Sequence, residues 1–337
     1  MRVLVTGATG FVGTALVPAL QERGMEVRAA VRRPERVHFG PEIEPVVVRN
    51  IQDERAWRGA LSGVDAVVHL AARAHVVDAD EQDRYELYRR VNTSATATLF
   101  DACRVTGVRR FVFLSTVGVL GNRTAPGRPF DETCPPAPHD AYTSSKWEAE
   151  ELLRELSESS DIGVTILRPP LVYGSGAPGN FARLVELVAL RVPLPFGGIR
   201  NERSMISIQN LTDLIHTCMV RDEAIGETFL AADAEDLSTP ALVRAIARHL
   251  GCRARLLSVP VPILRGMAMS AGRGRDISRL CDSLQVSQGK LERVLGWVPP
   301  HTLDDGLVLA LRPFAGATWR DFSLAAASRA RPAPGAS

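Results

Sequence analysis

Short, unbroken apolar runs alternate along the first half of the chain with longer stretches in which apolar residues recur every three or four positions. The runs at 3–6, 27–31, 46–48, 66–70, 110–114 and 164–167 are rich in Val, Ile, Leu or Phe and show no apolar–polar alternation. That pattern predicts strands buried on both faces. Between them, residues 14–23, 53–61, 91–106 and 142–157 follow helical spacing. Strands separated by helices over such lengths predict an α/β fold, a Rossmann-type doubly wound parallel sheet. No internal repeat of fixed period is visible.

The pattern changes after Pro169-Pro170. Residues 171–201 carry several Gly and Pro around one amphipathic stretch at 181–190. Further strands are expected at 205–208 and 228–230. Helices are expected at 238–250 and 287–295, with Ser238 and Ser287 as N-caps. The expected organisation is a first domain over 1–170, regaining strands near 205–208 and 228–231. A smaller, partly interleaved C-terminal substrate lobe follows over 171–324. Residues 325–337 are Ala, Arg, Pro, Ser and Gly without periodicity and are expected to form a flexible tail.

Composition narrows the class. Of 337 residues, 45% are hydrophobic and 23% charged, as in an ordinary globular chain. Forty basic residues against 38 acidic ones leave a charge of +2, which argues against a nucleic-acid partner. No apolar run reaches the roughly 18 residues of a membrane span. Met1 leads almost directly into the first strand, so no secretory signal is expected and the predicted location is cytoplasmic. Cys103, Cys134, Cys218, Cys252 and Cys281 form neither an even disulfide set nor a CxxC pair, and no metal is expected.

The first strand runs into Thr6-Gly7-Ala8-Thr9-Gly10-Phe11-Val12-Gly13. Glycines at 7, 10 and 13 permit a tight turn, close backbone approach to a pyrophosphate, and close helix–sheet packing. The helix N-terminus then offers free N–H groups to the anion. After the second strand the chain reads Arg32-Arg33, where an NAD site would usually offer a carboxylate to the ribose. Guanidinium can receive a 2′-phosphate bidentately, so NADP(H) is favoured and NAD(H) remains possible. Either arginine could instead be simply solvated.

Tyr142 and Lys146 stand four residues apart at the start of a helix, which puts them on one face. A phenol with a pKa of about 10 is a poor acid–base catalyst at neutral pH, and a nearby ammonium would lower it. Only Lys146 and Lys290 are Lys among the 40 basic residues; 38 are Arg. A chain that otherwise uses Arg has kept a compact ammonium here, which favours chemistry over a solvated pair. Ser115 and Thr116 end the strand at 110–114, on the edge where ligands gather. Asn92 is an unhelpful residue inside a helix; it could order a water near Lys146 or face solvent.

Together these segments resemble the extended short-chain dehydrogenase/reductase family, in its nucleotide-sugar epimerase, dehydratase and reductase branch. The carriers are TGATGFVG (6–13), HLAA (69–72), the Asn92 helix, FLST (113–116), YTSSK (142–146), RPPLVYG (168–174), NERSMISI (201–208) and LGWVPP (295–300). The resemblance implies that Tyr142 moves the proton of a sugar hydroxyl, that Lys146 lowers its pKa and holds ribose, and that Thr116 is the third catalytic hydroxyl. It implies a cofactor site of Gly7, Gly10, Phe11, Val12, Gly13, Arg32, Arg33, Asn50, Ile51, Leu70, Ala71 and Ala72, with Tyr142 and Lys146. It implies a UDP-sugar substrate held by Thr116, Asn180, Phe181, Leu194, Phe196 and Arg203, with Arg273 or Arg275 as a second pyrophosphate ligand. A homodimer through the helices at 91–106 and 142–157 is also implied.

Three departures bear on the reaction. Asn50-Ile51 replaces the Asp-Leu or Asp-Ile common near adenine, and Arg168-Pro169-Pro170-Leu171 lacks the Asn that epimerases often carry there. Val117-Gly118 follows Thr116 where the dehydratases place Asp-Glu, so dehydration is not expected. The overall pattern is most similar to enzymes that reduce a UDP-4-keto-6-deoxy-N-acetylhexosamine to a UDP-N-acetylquinovosamine-type product in surface-polysaccharide synthesis. A UDP-sugar 4-epimerase is the alternative. A non-catalytic NADP(H)-sensing protein is a third reading, although such proteins typically lose the Tyr–Lys pair. A hydroxysteroid or flavonoid reductase would have a more apolar pocket without Asn180 and Arg203.

Overall fold

The apolar runs do form strands. A computed structural model of the chain describes residues 1–36, 39–74, 81–270, 272 and 274–314. In chain order these contain β1 (Arg2–Thr6), α1 (Phe11–Glu22), β2 (Glu26–Val31), β3 (Glu44–Val47), α2 (Glu54–Ala60), β4 (Ala66–His69) and α3 (Glu81–Tyr88). A π turn (Arg89–Ser94) leads into α4 (Ala95–Thr106), followed by β5 (Arg110–Leu114), α5 (Ala141–Glu158), β6 (Gly163–Arg168), β7 (Leu171–Tyr173) and α6 (Asn180–Ala189). Then come β8 (Met205–Ser207), α7 (Ile208–Val220), β9 (Thr228–Leu230), α8 (Thr239–His249), α9 (Val261–Ser270), α10 (Gly274–Cys281), α11 (Gly289–Leu295) and α12 (Leu303–Leu311).

Seven strands pair in the order β3–β2–β1–β4–β5–β6–β9, every pair parallel. The register aligns the carboxyl ends: Thr6 faces His69, His69 faces Phe113, and Phe113 faces Ile166. Chain direction across the sheet reverses between β1 and β4, which makes the crevice beyond their carboxyl ends the natural ligand position. The Gly7–Gly13 turn and residues 70–72 lie there. Continuous Val, Ile, Leu and Phe runs are explained by burial on both faces. Val3, Val5 and Val68 pack with α1 and α7, and Leu4, Val67 and Phe111 with α2 and α4. Each fully buried side chain of this size contributes about 2 kcal/mol.

Beyond β6 the expected strands appear, with two differences. The strand expected near 205–208 forms as β8 but pairs with β7 in a separate two-stranded sheet, whereas β9 does join the large one. Asp233 fixes this arrangement: its carboxylate accepts hydrogen bonds from the Tyr173 hydroxyl (2.7 Å), the Asn210 amide (2.7 Å) and the Ser207 N–H (3.1 Å). Ser238 caps α8 as predicted, its side chain accepting from Ala241 N. α11 starts at Gly289 with Gln288 in the cap position, one residue past the expected Ser287, whose hydroxyl accepts a long hydrogen bond from Gly289 N (3.4 Å). Among the described residues no helix is long and apolar enough to cross a membrane. The tail expected at 325–337 lies outside the described residues.

Candidate active site

The phosphate-binding turn is built from backbone. Gly7 has φ +67°, a left-handed conformation that L side chains rarely adopt, and a Cβ there would lie 2.8 Å from Ala71 N. A Cβ on Gly13 would run into the Gly7 carbonyl and lie 2.6 Å from Ala8 Cα. Gly10 caps α1 without a side-chain hydrogen bond, and the first turn holds no acid. Because Thr14 N is the first to bond back into the helix, the N–H groups of Phe11, Val12 and Gly13 keep no intrahelical acceptor. A cradle with no room for a side chain and free N–H groups fits a dinucleotide pyrophosphate.

Of the other residues expected at this edge, the 70–72 segment packs against the turn, and the rest follow β2 and β3. Ala71 N donates to Thr6 Oγ1 (3.2 Å) and Leu70 N to Thr6 O (3.3 Å), which holds the 70–72 segment against β1. Arg32 and Arg33 follow β2, are exposed, and make no ion pair among the described residues. Asn50 accepts from Gln52 N (3.1 Å), and the Ile51 carbonyl accepts from Trp57 Nε1 (2.8 Å).

Tyr142 lies in the first turn of α5, whose start is set by a reciprocal cap. Asp140 accepts from Thr143 N (2.8 Å), and the Thr143 hydroxyl accepts from Asp140 N (3.1 Å). The Tyr88 ring meets the Tyr142 ring edge-on, with centroids 5.9 Å apart. Burial, then the Asp140 charge and Tyr88, push the Tyr142 phenol up to about 12. The lowered value expected from Lys146 is therefore not found in this structure. Lys146 is buried, its ammonium 3.8 Å from the centre of the Phe113 ring. Burial brings it down to about 7, opposed by Glu150. His69, stacked on the Phe113 ring, is held neutral: burial and then Lys146 bring it down to about 3.

Thr116 and Ser115 separate cleanly. Thr116 lines a cavity together with Tyr142, its hydroxyl accepting from Gly118 N (3.2 Å). Ser115 is buried and donates to Glu150 (2.5 Å). Asn92 does not face solvent. It sits in the π turn, 1% exposed, accepting from Arg73 N (2.8 Å) and donating to the Ser145 hydroxyl (2.9 Å), so it braces the 70–73 segment against α5. Mid-helix π turns often mark functional positions.

The cavity encloses about 300 Å³. Its walls include Thr116, Tyr142, Asn180, Phe181, Arg203 and Arg279, so four of the expected substrate residues share one space with the tyrosine expected to be catalytic. Arg203 donates to the Asp282 carbonyl (2.9 Å); burial lowers its guanidinium, Asp282 raises it and Arg279 lowers it. Leu194 and Phe196 are not in the wall. They are buried in the core beside α6 and α8, with Leu194 N bonded to Arg255 O and Leu257 N to Leu194 O. Arg273 lies outside the described residues. The guanidinium that joins Arg203 at the cavity is Arg279, on α10. Sequence reasoning missed it because it is one more Arg in a chain of 38. Asp140 had a signal, its three-residue spacing to Thr143.

A family profile, the NAD dependent epimerase/dehydratase family, matches residues 3–232. A Vibrio cholerae protein described as UDP-glucose 4-epimerase is 40% identical over 320 residues, covering 94% of this chain and 97% of its own. An Escherichia coli O157:H7 protein described as N-acetyl-alpha-D-glucosaminyl-diphospho-ditrans,octacis-undecaprenol 4-epimerase is 29% identical, covering 91% and 93%. The crystal structure of the Thermus thermophilus UDP-glucose 4-epimerase in complex with NAD superposes with a TM-score of 0.74 at 26% identity, covering 94% of this chain and 100% of that one. The chain is an enzyme of the NAD dependent epimerase/dehydratase family.

Proposed function

We propose that the protein inverts C4 of a UDP-sugar, acting as a 4-epimerase. The observation that carries the reading is the shared cavity: two hydroxyls suited to a sugar carbinol, Tyr142 and Thr116, line the same space as two guanidinium groups suited to a diphosphate, Arg203 and Arg279. The activities described for the Vibrio and Escherichia relatives support inversion at C4. A pyridine nucleotide, when bound, supplies the hydride acceptor and donor. Once its own proton has been released to solvent, the Tyr142 phenolate oxygen takes the C4 hydroxyl proton and later returns it, while the Thr116 hydroxyl hydrogen-bonds the sugar oxygen. Lys146, one helical turn beyond Tyr142 on α5, supplies positive charge and contacts ribose. Arg203 and Arg279 grip the diphosphate through both states, and Asn180 adds an amide to it. The assembly proposed is a homodimer through α4 and α5; sedimentation as a monomer at micromolar concentration overturns it.

The second reading is a 4-ketoreductase of a UDP-4-keto-6-deoxy-N-acetylhexosamine in surface-polysaccharide synthesis. The sequence motifs favour it, and uncommitted Arg32 and Arg33 favour the dissociable NADP(H) that such an enzyme consumes. One experiment separates the two. Purified protein is given UDP-galactose with NAD, or a UDP-4-keto-6-deoxy sugar with NADPH. Interconversion with UDP-glucose without net cofactor change supports the epimerase; stoichiometric NADPH oxidation with the keto sugar, and no interconversion, overturns it.

A further inference from the structure

Glu150 has no exposed surface and lies one helical turn beyond Lys146 on α5. One carboxylate oxygen accepts from the Ser115 hydroxyl (2.5 Å) and Arg168 Nε (3.0 Å); the other accepts from Arg168 Nη2 (2.6 Å) and Arg154 Nη2 (2.8 Å). Arg168, the last residue of β6, is only 4% exposed. Stability alone is a poor reason for this pair, because well-packed apolar residues can replace a buried ion pair at little or no loss. Its position supplies another reason. Ser115 immediately precedes Thr116, and the backbone on both sides of Thr116 is also pinned to the end of β6, with Ser115 N bonded to Leu167 O (2.7 Å) and Val117 N to Pro169 O (3.0 Å).

We propose that Glu150 is a positioning residue for the reaction, clamped by Arg168 so that its carboxylate fixes the Thr116 strand end against the helix of Tyr142 and Lys146 and faces the lysine from one turn away. This rests on the reading of Tyr142, Thr116 and Lys146 as the reacting constellation. Lys146 is the group whose charge Glu150 supports against burial. The other titratable groups near it are neutral His69 from β4, Tyr142 and Asp140 at the head of α5, and Arg168 from β6. The π turn meets this helix through uncharged Asn92 and through Arg89, which pairs with Glu148 of α5 (3.4 Å), while Arg90 is exposed. Glu150 is thus the one acid buried with Lys146 among the described residues.

The test measures kcat, KM and their pH dependence for Glu150→Gln, Ser115→Ala and Tyr142→Phe, with melting curves for each. Glu150→Gln is expected to lower kcat about tenfold or more, since misplacing reacting groups by about 1 Å costs on the order of 100-fold, while sugar KM stays within about threefold. The alkaline limb of its kcat profile, where Lys146 loses its proton, is expected to move to lower pH. Ser115→Ala keeps the Glu150–Arg168 pair and serves if Glu150→Gln does not fold; it is expected to lower kcat about threefold with the limb unmoved, because only the strand-end tether is lost. A folded Glu150→Gln with an unmoved limb and kcat within about twofold of wild type overturns the proposal, as does a Ser115→Ala enzyme of unchanged kcat where Glu150→Gln is unfolded. Full turnover by Tyr142→Phe instead overturns the underlying reading, so the two failures are distinguishable.

Discussion

The two halves of the candidate site are built by opposite means. The phosphate-binding turn is one contiguous segment, residues 7–13, made of backbone and of the absence of side chains. The cavity is made of side chains from segments as distant as Thr116, Asn180, Arg203 and Arg279. A backbone-built site fails when almost any atom is added. A side-chain-built site loses function by increments, one contact at a time, except where the reacting proton sits. That contrast predicts how each half responds to mutation.

The largest expected effect is at the exception. Tyr142→Phe removes the proton-bearing oxygen and is expected to lower kcat on the order of 1,000-fold, about 4 kcal/mol of barrier. Dinucleotide affinity, measured by fluorescence titration, should stay within about twofold, because the turn does not depend on the phenol. Loss of both together would break the separation of the halves; unchanged turnover would remove Tyr142 from the reaction. Next comes Gly13→Ala. Its Cβ would press on Gly7 and Ala8, neither of which can move without opening the turn. A cost of about 3 kcal/mol in urea denaturation is expected, with dinucleotide binding lost. A variant as stable as wild type would show that the turn is softer than its geometry indicates.

The same contrast explains what the sequence disclosed. The turn, the seven strands and the Tyr142–Lys146 spacing are local patterns, and periodicity or fixed offsets reveal them. The separate β7–β8 sheet is not local: β8 could have extended the large sheet, and what directs it elsewhere is the buried Asp233 network, joined by residues 60 positions apart. Arg279 was illegible because an Arg carries no signal in a chain with 38 of them. The rarity of Lys pointed to Lys146, which is buried one helical turn beyond Tyr142 on α5. Leu194 and Phe196 were legible as apolar but not as core or wall, because composition does not say which side of a packed segment faces the cavity.

A smaller effect follows from the buried ammonium. Lys146 stands at about 7 in the folded protein against an ordinary 10.5. Between these values the unfolded chain holds a proton that the folded one has released, so stability rises with pH in that window. The burial penalty is fully present below about pH 7 and relieved toward pH 10.5. Relative to Lys146→Met, wild type should gain about 2 kcal/mol between pH 7 and pH 9 in urea denaturation. Parallel curves for the two proteins would mean that the lysine is hydrated in the folded protein. Arg279→Ala should be milder still, raising sugar KM about tenfold with kcat retained, as expected for one of two guanidiniums gripping a group that does not react. A fall in kcat with unchanged KM would place Arg279 at the chemistry instead.

The smallest effect tests where the two building modes meet. Arg32 and Arg33 stand at the backbone-built edge, yet act only through side chains. Both are exposed, and exposed charge pairs are worth little, so even a bidentate phosphate contact there should contribute only about 1 kcal/mol. Replacing both with Ala should therefore weaken NADPH about fivefold while leaving NADH within about twofold, measured by competing the two nucleotides on one sample. Such selectivity would assign the arginines to the 2′-phosphate and strengthen the ketoreductase reading. Equal losses for both nucleotides would mean that the pair merely raises local positive potential. No loss for either would return Arg32 and Arg33 to the arginine background from which Lys146 stands out.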